Sequence, residues 1–499
     1  MSEAANISLN AIGMQDTHLL STKSKDSLFN PSHKHNSEFR KYHRTHTVDN
    51  IQKTPWWPFG HTVKVDFNPK NMGDLLTNMW VKIALPEWKA NEKTKWFYGD
   101  FVGRRLIKNI KMRVDGLILQ EIDTEMFVIF DQLYRSYDQK LSLNAQFNLN
   151  RYTNRFSYVP EIDLDAHNNL FIHIPFFFTQ NYGGDAYPEN KQNRPSFPVC
   201  NIHRQTIQFE IEFHKPTYFI YSTRNQALPQ GSKIIDNFKI VTEEITLSNE
   251  ERLYYKNNPI TMPMEIIKKH SSRDIHLKND RTFSINLEPT IPVKMFHWFF
   301  RSKYYEDEGA YHENEIKVQN RMNFKAARFR FSDPLTILGR ASFALNGEVF
   351  PRVTKLDAGY FKRYIPYTSK MSESGLIPSA LANFSHDDLT EAMVHSSLAY
   401  GDIFSYNFAL YPKSTQPSGF LDFSQLNSDK TQLHIELSNL SKDTLITYVE
   451  DYHKYIFGIP SSGSSYLAEP FSLEKFTMYL YYTGYNMLKF ENGFVSFMS

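Results

Sequence analysis

The segment Ile207-Gln208-Phe209-Glu210-Ile211-Glu212-Phe213 alternates apolar side chains with charged or amide side chains without a break. Successive side chains of a β-strand point to opposite faces of its sheet, so this segment predicts a strand with one buried and one solvated face. Similar short runs occur at residues 62–67, 81–85, 110–114, 283–287, 293–299, 341–345, 404–410, 432–437 and 476–482. Turn-forming pairs such as Asn68-Pro69 and Asp115-Gly116 separate them. The pattern predicts an all-β protein built from sandwiches with long loops.

The length and one local change of pattern predict how the chain divides. A chain of 499 residues fits two β domains of roughly 200–250 residues each. Near residue 250 the strand pattern gives way to a capped helical turn, with Ser248 or Asn249 as N-cap and acidic residues behind it. We therefore predict an N-terminal arm at 1–55, a first sandwich at 56–255 and a second at 256–499. The arm is polar and aperiodic, so we expect it to order only against a neighbour.

A few short helices are expected between the strands. Residues 125–137 place Phe127, Phe130, Leu133 and Tyr134 at roughly helical spacing, and residues 387–394 show a similar pattern within a long loop. Long loops on a rigid sandwich commonly carry the contacts of a protein.

Charge and cysteine content restrict the partners and the compartment. Lysine and arginine (56) nearly balance aspartate and glutamate (54), so a formal charge of +2 gives no reason to expect specific nucleic-acid binding. The single cysteine, Cys200, excludes an intrachain disulfide and suits folding in a reducing cytosol. Residues 1–20 do not resemble a secretion signal, and no apolar stretch is long enough to span a bilayer as a helix. We expect a soluble protein.

The usual signatures of catalysis are missing from the sequence. It contains no phosphate-binding loop, dinucleotide fingerprint, zinc-protease helix or nucleophile elbow. Asp163 and Asp165 are more typical of a solvated turn than of a carboxylate pair, and the serines of 461–465 are more typical of a flexible loop. We assign no catalytic and no cofactor-binding residue, and we predict that the protein is not an enzyme.

A histidine-rich stretch in the arm allows three interpretations. His33, His35, His43 and His46 lie within fourteen residues, a spacing that could hold zinc or nickel. Neighbouring basic side chains disfavour a cation there, so no metal site is assigned. The same stretch could contact phosphates of lipid headgroups or nucleic acid. We favour a basic arm that docks on a protein neighbour through its positive side chains, Arg40, Lys41 and Arg44.

Longer segments, spread in order over most of the chain, resemble one known family. They are residues 39–47, 73–76 with 83–86, 174–178, 250–252, 345–348, 360–367, 406–413 with 416–424, and 485–490. In this order they are similar to segments of the major capsid proteins of the nucleocytoplasmic large DNA viruses. The most extensive match is Tyr406-Asn407-Phe408-Ala409-Leu410-Tyr411-Pro412-Lys413 followed by Gln416-Pro417-Ser418-Gly419-Phe420-Leu421-Asp422-Phe423-Ser424.

The chemistry of that last segment predicts an architectural role. Pro417 fixes φ for a turn, Gly419 can adopt a positive φ, and Phe420 and Phe423 would re-enter a core, which predicts a corner between two strands. The structural residues implied by the resemblance are Gln416, Pro417, Ser418, Gly419, Phe423, Ser424, Asn346, Gly347, Gly73 and Asp74.

The resemblance also implies a fold and an assembly. The family fold is two tandem eight-stranded jelly rolls, and three chains would form a pseudo-hexagonal capsomer of an icosahedral shell. The expected partners are other copies of the chain, minor capsid and penton proteins, and an internal membrane, with assembly in the host cytoplasm and the virion as final location. Two alternatives stay open: a minor capsid paralogue or assembly scaffold with this fold, and a carbohydrate-binding β-sandwich.

Overall fold

A computed structural model shows the architecture of the protein. It describes fourteen stretches of the chain. These are residues 37–48, 56–85, 96–98, 103, 106–135, 139, 169–179, 196–222, 238–302, 337–350, 355–371, 403–414, 417–440 and 475–498. Gln416, residues 387–394, the aspartates at 163 and 165, the serines of 461–465, and His33 and His35 lie outside the described residues.

Strands dominate both halves of the described chain. Those of the first half are β1 (Phe39–Thr47), β2 (Thr62–Phe67), β3 (Leu75–Ala84), β4 (Trp96–Tyr98), β5 (Ile107–Val114), β6 (Leu117–Asp123), β7 (Asn169–His173), β8 (Phe197–Pro198), β9 (Ile207–Phe213), β10 (Ile220–Ser222) and β11 (Phe238–Leu247). Those of the second half are β12 (Ile260–His276), β13 (Thr282–Asn286), β14 (Val293–Ser302), β15 (Leu338–Leu345), β16 (Glu348–Phe350), β17 (Leu356–Asp357), β18 (Phe404–Asn407), β19 (Gln432–Leu437), β20 (Lys475–Glu491) and β21 (Phe494–Phe497).

Helices in the described residues are short. They are α1 (Thr124–Ile129), α2 (Asn249–Asn257) and α3 (Ile365–Thr368), with π-helical turns at Phe130–Tyr134 and Tyr360–Tyr364. Short 3-10 turns lie at Pro69–Asn71, Val199–Ile202, Pro216–Tyr218, Phe423–Gln425 and Ser428–Lys430. Of the helix expected at 125–137, residues 125–129 are α-helical and residues 130–134 form a π-helical turn, whereas residues 136 and 137 lie outside the described residues.

Each half of the chain forms two sheets with the same strand order. In the first half the sheets run β1-β11-β3-β7 and β2-β9-β5-β6. In the second half they run β12-β20-β14-β18 and β13-β19-β15-β16. Each path has four strands, so the two sheets of each half contain eight strands in all. When these eight are numbered in chain order, the first sheet of each half contains the first, eighth, third and sixth strands, in that spatial order. The described chain therefore contains two tandem eight-stranded jelly rolls, as the resemblance implied.

Additional strands extend this framework without altering it. β8 pairs with β3, β17 with β15 and β21 with β20, while β4 and β10 form a separate two-stranded sheet. No strand of the described first half pairs with a strand of the described second half. Where the domains begin and end stays a prediction.

Aromatic side chains join the two sheets of each sandwich. In the first, the rings of Phe213 on β9 and Phe238 on β11 meet edge to face with centroids 5.5 Å apart. In the second, Phe296 on β14 lies 5.8 Å from Phe343 on β15. Such pairs add about 0.5–1.5 kcal/mol each beyond the burial of their area.

Three hairpins are closed by the same backbone device. At each turn two successive residues have positive φ, which the two-residue turn matched to strand twist requires. The pairs are Asp115-Gly116 (φ 45° and 86°), Asn346-Gly347 (53° and 88°) and Asn492-Gly493 (55° and 87°). Aspartate and asparagine tolerate this region better than other residues with side chains, and glycine has no steric penalty there.

The most N-terminal described strand corrects one expectation. Residues 41–499 form one compact unit, and of the preceding unit the structure describes only 37–40. From residue 41 to residue 47, β1 alternates between exposed and half-buried positions within a sheet that also contains β11. The expectation that the whole of 1–55 orders only against a neighbouring molecule is therefore wrong for 41–47, because an inner strand of the same chain supplies the pairing.

Candidate functional site

Asp74 connects the start of β3 with the end of β11 and with α2. Its Oδ2 accepts hydrogen bonds from the backbone N–H of Leu247 at 2.9 Å and from Nη2 of Arg252 at 2.8 Å. The Arg252 Nε lies 2.8 Å from Oδ1, so the guanidinium and the carboxylate meet side by side. The Asp74 carbonyl oxygen also accepts the N–H of Cys200 at 3.0 Å. These contacts fix the end of the first jelly roll against the helix that leads into the second.

The cap of that helix is as predicted. The Ser248 hydroxyl accepts a hydrogen bond from the backbone N–H of Glu251 at 3.3 Å, and Glu250 also lies in the first turn. Negative charge at a helix N-terminus is favourable because unpaired N–H groups point outward there.

Gly73 is required by a close approach of two backbone segments. A Cβ on this residue would lie 2.9 Å from the Tyr42 hydroxyl and 3.0 Å from the Ile245 carbonyl oxygen. Its N–H donates to Oε2 of Glu244 at 2.7 Å. Any larger residue would push β1 and β11 away from this loop.

The Glu244 carboxylate lies fully buried at the centre of a basic cluster. It accepts hydrogen bonds from the Thr242 hydroxyl at 2.7 Å and the Tyr42 hydroxyl at 3.1 Å, and Arg44 Nε lies 3.7 Å away. Burial by itself raises the pKa of Glu244, but hydrogen bonds from His46, Thr242 and the Gly73 N–H outweigh it and lower the pKa to about 2.

The basic residues predicted to contact a neighbour are placed as follows. Arg44 pairs with Glu244, and Lys41 Nζ lies 3.4 Å from the carboxylate of Glu243, as does His43 Nε2. Arg40 is exposed. The structure thus gives Lys41 and Arg44 acidic partners within their own chain, which sequence reasoning missed because those partners lie about 200 residues away.

The segment at 417–424 forms a corner beside β14 and β18. The Ser418 hydroxyl donates to the Tyr411 carbonyl oxygen at 3.1 Å and accepts the Tyr411 N–H at 3.0 Å. Gly419 has φ of 134°, and a Cβ there would lie 3.1 Å from the Phe408 carbonyl oxygen. Leu421 exchanges both backbone hydrogen bonds with Val293. The predicted positive φ at Gly419 is confirmed.

One of the two phenylalanines expected in the core lies elsewhere. Phe423 is buried, with its ring 5.5 Å from that of Phe296, whereas Phe420 is exposed. Gly419 turns the chain outward before it re-enters at Leu421, so Phe420 points to solvent. Ser424 lies at the surface, where its N–H donates to the Asp422 side chain at 2.9 Å.

The turn at Asn346-Gly347 supports the same end of the second sandwich. The Asn346 side-chain oxygen accepts the N–H of Asn427 at 2.7 Å, and the Gly347 N–H donates to the Lys430 carbonyl oxygen at 2.8 Å. Asn346 and Gly347 therefore connect this turn to the loop at 427–430.

A large contact between the two jelly rolls begins at the segment that follows β6. Within it the side chain of Tyr134 is fully buried, and its hydroxyl lies 2.9 Å from Oγ1 of Thr483 and 3.3 Å from Nε2 of His297. Burial raises the pKa of Tyr134 well above its usual value. Burial, followed by the charge of Lys294, lowers the pKa of His297 to about 3, so this imidazole stays neutral.

Two carboxylates at the other end of this segment also contact the second jelly roll. Asp123 accepts the hydroxyl of Tyr481 at 3.0 Å through Oδ2, while its Oδ1 caps α1 by accepting the N–H of Met126 at 2.8 Å. Glu125 accepts a hydrogen bond from Arg301 at 3.0 Å. Burial, and then the charge of Glu125, raises the pKa of Asp123 from 3.8 to about 7.

The second jelly roll contains an ion pair that the sequence did not indicate. Lys294 is fully buried, and its Nζ lies 2.7 Å from Oε2 of Glu265 and 2.8 Å from the Ser414 carbonyl oxygen. Burial lowers the pKa of Lys294, although Glu265 opposes this. Lys294 lies within a run that otherwise alternates as expected for a strand. The position of this lysine in the run is the only sign of the ion pair that the sequence contains.

No arrangement typical of metal binding or of a membrane helix occurs in the described stretches. None of their His, Cys, Asp and Glu side chains form a group of three suited to hold a metal ion. None of their helices combines the length and apolar character of a membrane span.

A comparison with protein families matches the first jelly roll. Residues 34–254 match the family described as "Major capsid protein N-terminus". No curated protein sequence matches the chain.

Three solved structures have the same fold as this chain. The "PBCV-1 virus capsid, quasi-atomic model" matches with a TM-score of 0.63 at 15% identity, over 95% of this chain and 100% of the other. The PBCV-1 VP54 crystal structure, fitted into a reconstruction of the virophage Sputnik, matches with a TM-score of 0.60 at 15% identity over the same shares. The "Faustovirus major capsid protein" matches with 0.56 at 10% identity, over 96% of this chain and 94% of that one. At these identities the likeness establishes the fold alone.

Proposed function

We propose that this chain is a major capsid protein and the principal building block of the icosahedral shell of a large DNA virus. Its role is structural and its place is the capsid of the virion. Two observations together support the role as principal building block. Residues 34–254 match the capsid family, and the rest of the chain forms a second jelly roll with the same strand order. Two similar towers per chain give a trimer six similar towers, a shape that can tile a hexagonal lattice.

The proposal extends to the other components of the particle. Other copies of the chain are the first partners, and we propose minor capsid and penton proteins and an internal membrane as further ones, with assembly in the host cytoplasm. The residues that precede β2, including Arg40, are proposed to take part in contacts toward the particle interior. We propose boundaries for the two jelly rolls at 56–255 and 256–499, with α2 at the joint.

Mass measurement of the purified protein tests the proposal. We expect a trimer of about three times the 58.6 kDa chain mass. A chain that remains monomeric at high concentration contradicts it. Quantifying the protein in purified virions then separates a principal tile, present in many copies, from a minor paralogue or a scaffold absent from the finished particle. Saturable binding on a glycan array would instead support the carbohydrate-binding alternative.

A further inference from the structure

The outer face of one sheet in the first jelly roll has an ordered pattern of charge. This sheet has the strand order β2-β9-β5-β6, and the apolar residues of its strands point into the sandwich. The backbone register aligns one residue from each strand in a row across the outer face. The central row, in spatial order, consists of Lys64, Glu210, Lys111 and Glu121. The sign of the charge therefore alternates from one edge of the sheet to the other.

The side chains on either side of this row are also polar. On one side Glu212 on β9 accepts a hydrogen bond from Nζ of Lys108 on β5 at 2.7 Å. On the other side Gln208 on β9 lies opposite Arg113 on β5 in the register. The outward residues of β2, β9 and β5 are all polar or charged, so apolar packing does not hold a partner on these three strands.

Within the chain the charges of the central row form only surface ion pairs. Nζ of Lys64 lies 3.9 Å from Oε2 of Glu210, and Nζ of Lys111 lies 3.4 Å from Oε1 of Glu121. The two outermost side chains, those of Lys64 and Glu121, are 59% and 44% exposed. Exposed pairs of this kind contribute little to the stability of a fold. Both edges of the row are therefore accessible to charges of another molecule.

An alternating row of four charges is complementary to itself under one kind of twofold rotation. An axis parallel to the strands, placed above the centre of the face, keeps the strand direction and reverses the order of the strands. β2 of one copy then faces β6 of the other, and β9 faces β5. Lys64 consequently opposes Glu121 of the second copy, and Glu210 opposes Lys111 of the second copy. Symmetry repeats each contact, which gives four contacts between opposite charges.

A twofold axis perpendicular to the strands gives the opposite result. Such an axis keeps the order of the strands and reverses their direction, so Lys64 would oppose Lys64 of the second copy and Glu210 would oppose Glu210. Like charges that face each other across a contact are unfavourable. The charge pattern therefore favours a pairing in which two copies stand side by side with the same end up.

We propose that this surface, the outward residues of β2, β9, β5 and β6, joins two copies of the chain about a twofold axis parallel to the strands. We name it the charged face. The inference rests on the proposed capsid function, to which it adds a surface for the contact between neighbouring building blocks. All building blocks of one shell must have the same side outward, and the pairing favoured by charge meets this requirement.

The size of the charged face indicates a weak contact. Four strands about 4.8 Å apart, with a rise of about 3.4 Å per residue, give a face of roughly 15 Å by 20 Å. A stable interface between two proteins buries about 1,600 Å² in total, so one such contact is too small to hold two blocks together by itself. Many copies of a weak contact can stabilise a lattice, because each block is held by several neighbours at once.

The equivalent face of the second jelly roll does not have this pattern. Its sheet has the order β13-β19-β15-β16, and its central row contains Ser284, His434 and Ser342. Lys355 and Glu436 form an exposed ion pair beside this row, with Nζ 3.2 Å from Oε2. We therefore expect the contact to involve the first jelly roll, and the Lys355 pair offers a matched control.

Exchanging the two outermost charges tests the proposal. Lys64→Glu and Glu121→Lys each place like charges opposite each other twice in the contact. We expect each to raise the protein concentration at which trimers associate into larger assemblies by about tenfold or more. The double variant K64E/E121K exchanges the two charges and makes the contact complementary again, so association should return to near the wild-type level. Light scattering and sedimentation at low salt measure this concentration.

The double variant separates a contact between copies from an effect within one chain. Within the chain it breaks both ion pairs, so an effect confined to the chain would make the double variant worse than either single variant. Lys355→Glu breaks an exposed pair of the second jelly roll and should leave association unchanged. Association of the wild type should also weaken as salt rises from about 0.05 M to about 0.5 M, because salt screens exposed charges.

Cross-linking tests the contact without reversing any charge. Lys64 and Glu121 of one chain are three strand spacings apart, about 14 Å, so a thiol cross-linker shorter than this cannot join them within the chain. The native cysteine, Cys200, is buried. The double variant K64C/E121C should therefore give covalent links between trimers at low salt, whereas E121C/K355C should not.

The possible results distinguish the contact from the capsid function. Trimers whose association withstands both single charge reversals, or is not restored in the double variant, overturn the contact and leave the capsid function intact. Trimers that form no larger assembly at low salt, or that give no cross-link in K64C/E121C, overturn it as well. A wild type that stays monomeric contradicts both.

Discussion

β3 and β14 occupy the same position in the two jelly rolls, yet their outer faces differ in environment. β3 alternates between buried and half-buried residues, with Trp80 and Lys82 outward. In β14 the outward Met295, His297 and Phe299 are as fully buried as the inward residues, because residues 123–135 of the first jelly roll, which we name the first helical segment, cover them. The comparison teaches that the same strand position can have a half-buried or a fully buried outer face. The outcome depends on whether the adjacent jelly roll packs against that face.

The largest expected effect tests whether the first helical segment is equivalent to residues 357–371 of the second jelly roll, which we name the second helical segment. Phe127→Ala and Phe361→Ala each remove a ring with no exposed surface, and the cavity left behind should cost about 3–5 kcal/mol of unfolding free energy in either case. Phe361 packs 5.1 Å from the Trp298 ring, so a well-filled site is lost there. Urea unfolding of the whole chain measures both values.

The control for this pair is a ring that belongs to neither core. Phe420→Ala, at an exposed position of the corner, should change the unfolding free energy by about 0.5 kcal/mol or less. If Phe361→Ala cost as little as Phe420→Ala, the two segments would not share an anchoring residue, and the equivalence would fail.

A second pair of substitutions tests the difference between the segments. Leu133→Ala should destabilise the isolated chain by about 2–5 kcal/mol, since Leu133 is fully buried. Tyr367→Ala, at the equivalent position, should change the stability of the isolated chain by about 0.5 kcal/mol or less. Thermal unfolding at concentrations below and above trimer formation measures each. A large loss for Tyr367→Ala below trimer formation would show that its environment is already closed within one chain.

The sequence was sufficient for features that depend on local pattern. Periodicity predicted β2, β9 and β19 with the bounds that the structure shows, and residue types predicted the cap at Ser248. The fold within the all-β class came from a resemblance, because period two identifies strands but not their order in a sheet. The strand expected to run to Leu410 ends as β18 at Asn407, where the corner begins.

Features that depend on distant partners could not be predicted in this way. β12 was missed because a bulge between Lys269 and Ser271 shifts its register and interrupts the alternation, and because Pro263 is tolerated only at the edge of a sheet. The solvated face expected for β14 is wrong, since the covering helix lies more than 150 residues earlier in the chain. The partner of Lys294, Glu265, lies on another strand, so no local signal identified the pair.

The smallest expected effect concerns the charge at the start of the first helical segment. Groups from three strands surround Asp123 and Glu125: Tyr481 on β20, Lys269 on β12 and Arg301 on β14. Burial, and then the charge of Glu125, raises the pKa of Asp123 to about 7 in the folded chain, against 3.8 for an ordinary aspartate. Folding therefore favours the protonated acid at this position.

The sign of the pH dependence follows from that direction. A raised carboxyl pKa contributes stability that is complete below the unfolded pKa and is lost as the pH rises through about 7. Asp123→Asn keeps a side chain that can cap α1 but cannot ionise, so it should remove this loss, on the order of 2 kcal/mol between about pH 4 and pH 8. Asp357→Asn, at the exposed equivalent cap, should retain the wild-type dependence. Chemical unfolding of the three proteins across this pH range measures the difference. If the stability difference between the wild type and Asp123→Asn did not change with pH, Asp123 would not be titrating at the contact between the jelly rolls.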